Sequence, residues 1–192
     1  MDPNLHYQPT IRMVWDDVVL VIGDRTLGVG YGDRYPGWAT FKNHIEILLS
    51  GLRDFGLARM IRKVDRYSFK YIDFIPERFS EGLESPYSVQ VALGNKEVKN
   101  SPIKLQVERQ ESFGVCFFEF ANPVNVQVDN NPVETGTLIS VDSVRFFSSG
   151  IDWESFQQDF INNAEKIHDK NKEGFFETLS EELLEKLGAE YV

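Results

Sequence analysis

The hydrophobic period of this chain changes along its length, and those changes constrain the fold more than any motif does. Between residues 11 and 31 the apolar residues come in short β-branched or alternating runs. Across residues 38–55 they recur at steps of three and four, as Phe41, Ile45, Leu48, Leu49, Leu52 and Phe55. Beyond Asp152 the same longer step returns with Trp153, Phe156, Phe160, Ala164 and Ile167. Alternation belongs to strands, whose side chains point to opposite faces; steps of three and four draw a stripe along a helix. The expected class is therefore α+β. A mostly antiparallel sheet carries one helix inserted after the first strands, and C-terminal helices pack on one face.

Turn chemistry sets the boundaries. Asp16-Asp17 and Gly23-Asp24-Arg25 separate three expected strands at residues 11–15, 18–22 and 26–31. Gly56 is a stop for the first helix. Residues 60–75 return to strand character through Val64, Tyr67, Phe69, Tyr71 and Ile75, and Pro76 ends the run. Residues 77–86 read as a polar loop. Further strands are expected at residues 87–93, where Tyr87, Val89, Val91 and Leu93 alternate, and at residues 103–107, 115–120 and 137–147. Val124, Val126 and Val128 suggest an edge strand. Asp152 and Ser180 suit helix N-caps, Gly174 is a candidate kink, and Gly188 a stop. Residues 1–10 read as a leader and residues 11–188 as one domain, with two small domains the alternative that 192 residues leave open.

Composition excludes more than it assigns. Fifteen Phe and a 42% hydrophobic fraction supply a core. The formal net charge of −10 weighs against general nucleic-acid binding and docking on anionic membranes, both of which rely on basic surface. A single cysteine, Cys116, excludes an intramolecular disulfide and a thiolate metal cluster. Its neighbours Val115, Phe117 and Phe118 suggest a buried small residue rather than a nucleophile. No apolar stretch approaches the roughly 20 residues of a membrane-spanning helix, and Met1-Asp2-Pro3-Asn4 does not resemble a secretory signal. The expected location is the cytoplasm, without membrane contact.

No complete catalytic signature emerges. Gly28, Gly30 and Gly32 fail the spacing of phosphate-binding fingerprints, and Asp33 would repel a phosphate. His6, His44 and His168 form no pair at metal-ligand spacing. No metal and no cofactor is expected. Arg59, Arg62, Lys63, Arg66 and Lys70 interleave with aromatic residues, a pattern that could take an acidic partner. Strand alternation explains the same pattern by burying the rings and exposing the charges. Asp73 and Asp142 stand inside apolar strands, where a buried carboxylate would need a partner such as Lys70 or Arg145.

Three segments together carry a resemblance. They are Tyr35-Pro36-Gly37-Trp38 at the first helix start, Lys70-Tyr71-Ile72-Asp73 in the following strand, and Ile167-His168-Asp169 followed by Phe175-Phe176 and the Leu-rich turn at residues 183–188. The pattern resembles a sporadically distributed prokaryotic family of uncharacterised proteins, over about residues 12 to 188. That family has a Tyr-Pro-x-Trp-like helix start and an Arg-Tyr-x-Asn-like strand; here Lys70 and Asp73 stand in the Arg and Asn places. The resemblance implies the fold but no activity, and its scattered distribution suggests a component of a mobile-element or defence system.

The leading functional expectation is a non-catalytic module that binds a protein or peptide partner, self-association as a homodimer included. The alternative is a hydrolase or small-ligand-processing enzyme whose polar pocket is assembled by the fold. Lys70, Tyr71, Asp73, Asp142, Arg145 and His168 are the candidate ligand- or partner-binding residues in either case.

Overall fold

The computed structural model describes residues 8–32, 34–98, 101–127 and 132–188. The α+β class holds, with antiparallel sheets, one helix after the early strands and C-terminal helices on the main sheet. The chain divides into two compact units, Met1–Arg62 and Lys63–Val192.

The first unit is a three-stranded antiparallel meander followed by a helix. Its strands are β1 (Pro9–Trp15), β2 (Val18–Gly23) and β3 (Leu27–Tyr31), in that spatial order. Trp15 pairs with Val18 across the two-residue turn Asp16-Asp17, and Asp16 takes a positive φ of 50° there. Asp tolerates that left-handed backbone better than most residues do. β1 starts at Pro9, inside the stretch expected to be leader; residues 1–7 lie outside the described residues. Helix α1 (Trp38–Asp54) follows Gly37 and carries the expected apolar stripe as far as Leu52, with Ile45 buried; Phe55, expected in that stripe, is instead the C-cap residue and is 84% exposed. Gly56, in the left-handed region at φ 72°, closes it by donating its N–H to Arg53 O. A 3-10 turn, Leu57–Met60, then occupies the start of the segment expected to be strand. Tyr31 joins the meander to α1: its ring meets Phe41 edge-on at 5.6 Å, and its hydroxyl is hydrogen-bonded to His44 Nδ1.

The second unit is built on a four-stranded antiparallel sheet. Its strands are β4 (Val64–Pro76), β7 (Ile103–Glu111), β8 (Gly114–Val126) and β9 (Glu134–Ile151), in the order β4-β9-β8-β7. Between β4 and β7 lie the short helix α2 (Glu77–Ser80), in the expected loop, and a two-stranded hairpin of β5 (Ala92–Leu93) and β6 (Lys96–Glu97). The strand expected at residues 87–93 therefore does not form as such. Tyr87 makes only an isolated bridge to Leu179, and Ala92 and Leu93 pair locally with β6. Val124 and Val126 extend β8 instead of forming an edge strand of their own; Val128 lies outside the described residues. Gly136 has a steric reason: a Cβ there would sit 2.3 Å from Ile75 O on the neighbouring strand.

Helices α3 (Trp153–Phe176) and α4 (Glu181–Lys186) cover one face of this sheet. Both expected N-caps form: Asp152 Oδ1 accepts from Ser155 N–H at 2.8 Å, and Ser180 Oγ accepts from Leu183 N–H. α3 runs through Gly174 without interruption. Its buried residues recur as Trp153, Phe156, Phe160, Ala164, Ile167 and Asn171. The core joins Cys116, Phe118, Phe120, Ile139 and Val141 of the sheet to Leu179, Leu183 and Leu184.

Candidate functional site

Register decides which side chains of the second unit can meet, because directly opposed residues in an antiparallel ladder share a face. Phe69 opposes Ser143, which opposes Cys116; Tyr71, Val141 and Phe118 form the next rung; Asp73, Ile139 and Phe120 the one after. These rungs, with Tyr67 opposite Arg145, make the helix-covered face. The alternate rungs make the other: Lys70, Asp142 and Phe117 in one, Ile72, Ser140 and Glu119 in the next. The packing residues of α3 and α4 all lie toward the first face.

The six candidate residues consequently fall into two groups. Tyr71, Asp73, Arg145 and His168 lie on the helix side, while Lys70 and Asp142 lie side by side on the opposite face. No single pocket contains all six.

On the helix side, Tyr71 and His168 meet directly, with Oη and Nδ1 3.0 Å apart. Burial pushes the His168 pKa down, against the opposing pull of Asp169 and Glu165. Burial thus favours the neutral imidazole, whose tautomer decides whether Nδ1 accepts the Tyr71 O–H or donates to Tyr71 Oη. Arg145 is engaged elsewhere. Its Nη2 donates to Asp159 Oδ1 at 2.8 Å, its Nε to Oδ2 at 3.2 Å and its Nη1 to Phe113 O at 2.8 Å. Tyr67 adds its hydroxyl to Asp159 Oδ2 at 3.0 Å. Burial, then the Asp159 charge, pushes the Tyr67 pKa far above its ordinary value, so the phenol stays protonated. Further along α3, Ser143 Oγ donates to Asn171 Oδ1 and Asn171 Nδ2 donates to Phe69 O at 2.8 Å. Asp73 is half-buried, without a hydrogen-bond or charge partner among the described residues, and burial raises its pKa.

On the opposite face Asp142 is also raised, first by burial. The Lys70 charge, a hydrogen bond from Ser68 and the Arg66 charge counter that shift. Its Oδ1 is buried and has no hydrogen-bond partner among the described residues. Around this polar centre the face is apolar at two exposed points, Ile72 at 61% and Phe146 at 47% exposure. Arg66 and Lys70 also project here, while Tyr67, Phe69 and Tyr71 turn to the helices. In β4 the alternation therefore separates Arg66 and Lys70 from Tyr67, Phe69 and Tyr71, although Asp73 shares the face of those rings.

Cys116 is buried in the core, and burial raises its thiol pKa. Among the described residues no three His, Cys, Asp or Glu side chains are grouped to hold a metal ion, and no helix is long and apolar enough to cross a membrane. In the first unit, Gly28 and Gly30 lie in β3 and, with Arg12, Val19, Val21 and Gly32, line an open groove of about 360 Å³.

Asp159, Ser143 and Asn171 were missed from sequence. Asn171 carried a readable signal: it lies four residues past Ile167, a polar residue in the apolar stripe. Asp159 carried none, since its partners Arg145 and Tyr67 come from strands distant in sequence. No family model, no curated protein and no solved structure matches the chain.

Proposed function

We propose that this chain is a non-catalytic binding module of the cytoplasm, and that it holds a protein or peptide partner on the helix-free face of the second unit's sheet. The exposure of Ile72 and Phe146 on that face carries the reading. The two lie about 20 Å apart along the sheet, six rungs at roughly 3.3 Å each, so they are two separate apolar contact points for an extended partner. Asp142 adds a polar anchor between them. Lys70 and Glu119 supply charges of both signs beside it, suited to registering a peptide rather than to attracting a polyanion.

The helix side offers less to a ligand. Arg145, Asp159 and Tyr67 satisfy one another, and Ser143, Asn171 and Phe69 O do the same. The test is affinity capture from native lysate with the full chain, against a variant carrying Ile72→Asp and Phe146→Asp. A retained partner that the double variant loses, with an unchanged circular dichroism spectrum, is the expected result. Equal capture by both proteins, or none by either, would overturn the reading.

A further inference from the structure

In the first unit, the described residues leave one strand edge unpaired. β1 pairs with β2 on one side only, and among the described residues no strand pairs with its outer side. All seven of its residues are exposed, including Ile11, Met13, Val14 and Trp15, the last at 79%. Exposed apolar edges are templates for strand addition, and folded proteins usually blunt them with lysine, proline or a covering element. Here the only charge within β1 is Arg12, and the only proline is Pro9 at its start.

The register identifies which backbone groups are available. Trp15 and Val18 close a two-residue turn, so they form the pair that exchanges both main-chain hydrogen bonds. Trp15 and Met13 therefore turn their N–H and C=O groups toward β2. Arg12 and Val14 turn theirs outward, away from the sheet.

Charge selects the occupant. Residues 1–62 contain seven acidic and seven basic residues, so the first unit is formally neutral; residues 63–192 contain 23 acidic and 13 basic residues and carry the whole net charge of −10. Two copies approaching through their second units meet like charge, whereas their first units carry no net repulsion. The same consideration selects a register. A two-fold antiparallel pairing centred on Arg12 would set two guanidinium groups directly opposite each other. Centring on Met13 instead opposes Met13 to Met13, Ile11 to Trp15 and Arg12 to Val14. It moves the two Arg12 guanidinium groups from directly opposite to diagonal positions, where long side chains can turn apart. The outward groups of Arg12 and Val14 then bond to those of Val14 and Arg12 across the axis.

We propose that β1 is a self-association edge, through which two copies of this chain join their meanders into one six-stranded antiparallel sheet centred on Met13. The contact is isologous, so it closes at two copies. It covers Ile11, Met13 and Trp15 of each copy on one continuous face, with Trp15 the largest side chain removed from water.

Light scattering during size-exclusion chromatography of the full chain tests the association; cysteine cross-linking tests the register. The wild-type mass should be twice the 22.1 kDa of one chain. Met13→Lys, which sets two ammonium groups face to face at an already exposed position, should halve it. With oxidised glutathione as the oxidant, Met13→Cys should yield a reducible dimer on a denaturing gel, and Arg12→Cys and wild type should not. A wild-type mass of one chain at every concentration, or a Met13→Lys protein that stays double, would overturn self-association through this edge. Cross-linking of Arg12→Cys in preference to Met13→Cys would overturn the register.

Discussion

Asn171 and Ser143 form a closed polar contact in a dry place, and its strength can be worked out. Asn171 is 2% exposed and Ser143 0%. Asn171→Leu keeps the side chain's approximate size but removes the acceptor for Ser143 Oγ and the donor to Phe69 O. An orphaned buried hydroxyl costs about 1–3 kcal/mol. A shape mismatch of this kind adds up to about 1.5 kcal/mol. The variant should therefore lose about 1–4.5 kcal/mol. Ser143→Ala alone orphans Asn171 Oδ1 and should lose about 1–3 kcal/mol. The double variant removes both members of the pair, so the hydroxyl is no longer stranded, and it should be more stable than Asn171→Leu. The assay is urea unfolding followed by Trp153, which is buried in the second unit, with Trp15 and Trp38 replaced by Phe so that the signal reports that unit alone. Additivity of the two single losses within about 0.5 kcal/mol would show that the two side chains are not coupled and would refute the reasoning.

Two further outcomes follow from other residues. Asp73 has a folded-state pKa raised by burial, so its contribution to stability is fully present below the unfolded value and is lost as pH rises through the folded one. Asp73→Asn should accordingly raise the urea midpoint at pH 7, with the gain vanishing below about pH 4; a gain equal at both pH values would contradict this. Gly174→Ala should stabilise the second unit by about 0.5–1 kcal/mol, because alanine is the better helix former. A Cβ there would meet Val141 Cγ1 at 3.6 Å, an ordinary contact, and a lower thermal midpoint would mean that the helix cannot accept it.

The helices were legible because their signals are local. α1 announced itself through a stripe, and Asp152 and Ser180 through cap chemistry that needs only the next three residues. The strands were legible as strands but less so as faces. From Val115 to Phe120 both alternation phases are largely apolar; the burial of Cys116 was expected from its neighbours, but alternation by itself did not say which phase meets the helices, and it is Cys116, Phe118 and Phe120 that do while Phe117 and Glu119 share the open side. Tyr87 to Leu93 alternated cleanly, yet alternation describes side chains and not partners. The bridge to Leu179 and the pairing with β6 took that backbone instead. The candidate site shows the same division. His168 and Tyr71 were both singled out, and the fold joins them. Asp142 and Asp73 were grouped by residue type, and strand parity parts them, since their positions differ by one face of the sheet.

The order β4-β9-β8-β7 also has a consequence in time. β7, β8 and β9 follow one another as neighbours, and the β7–β8 turn is only Ser112 and Phe113. β4 reaches β9 across a much longer loop: Phe69 opposes Ser143 roughly seventy residues later. Closing that loop has the larger entropic cost, so the three-stranded meander is expected to assemble first and β4 to dock afterwards. Until it docks, the flank of β9 between Thr137 and Phe147 lies open, lined by Ile139, Val141 and Val144. During synthesis β4 emerges before β9, so the strand that will seal this flank is already in solution when the flank first appears. Chain direction thereby shortens the interval in which another molecule could occupy it.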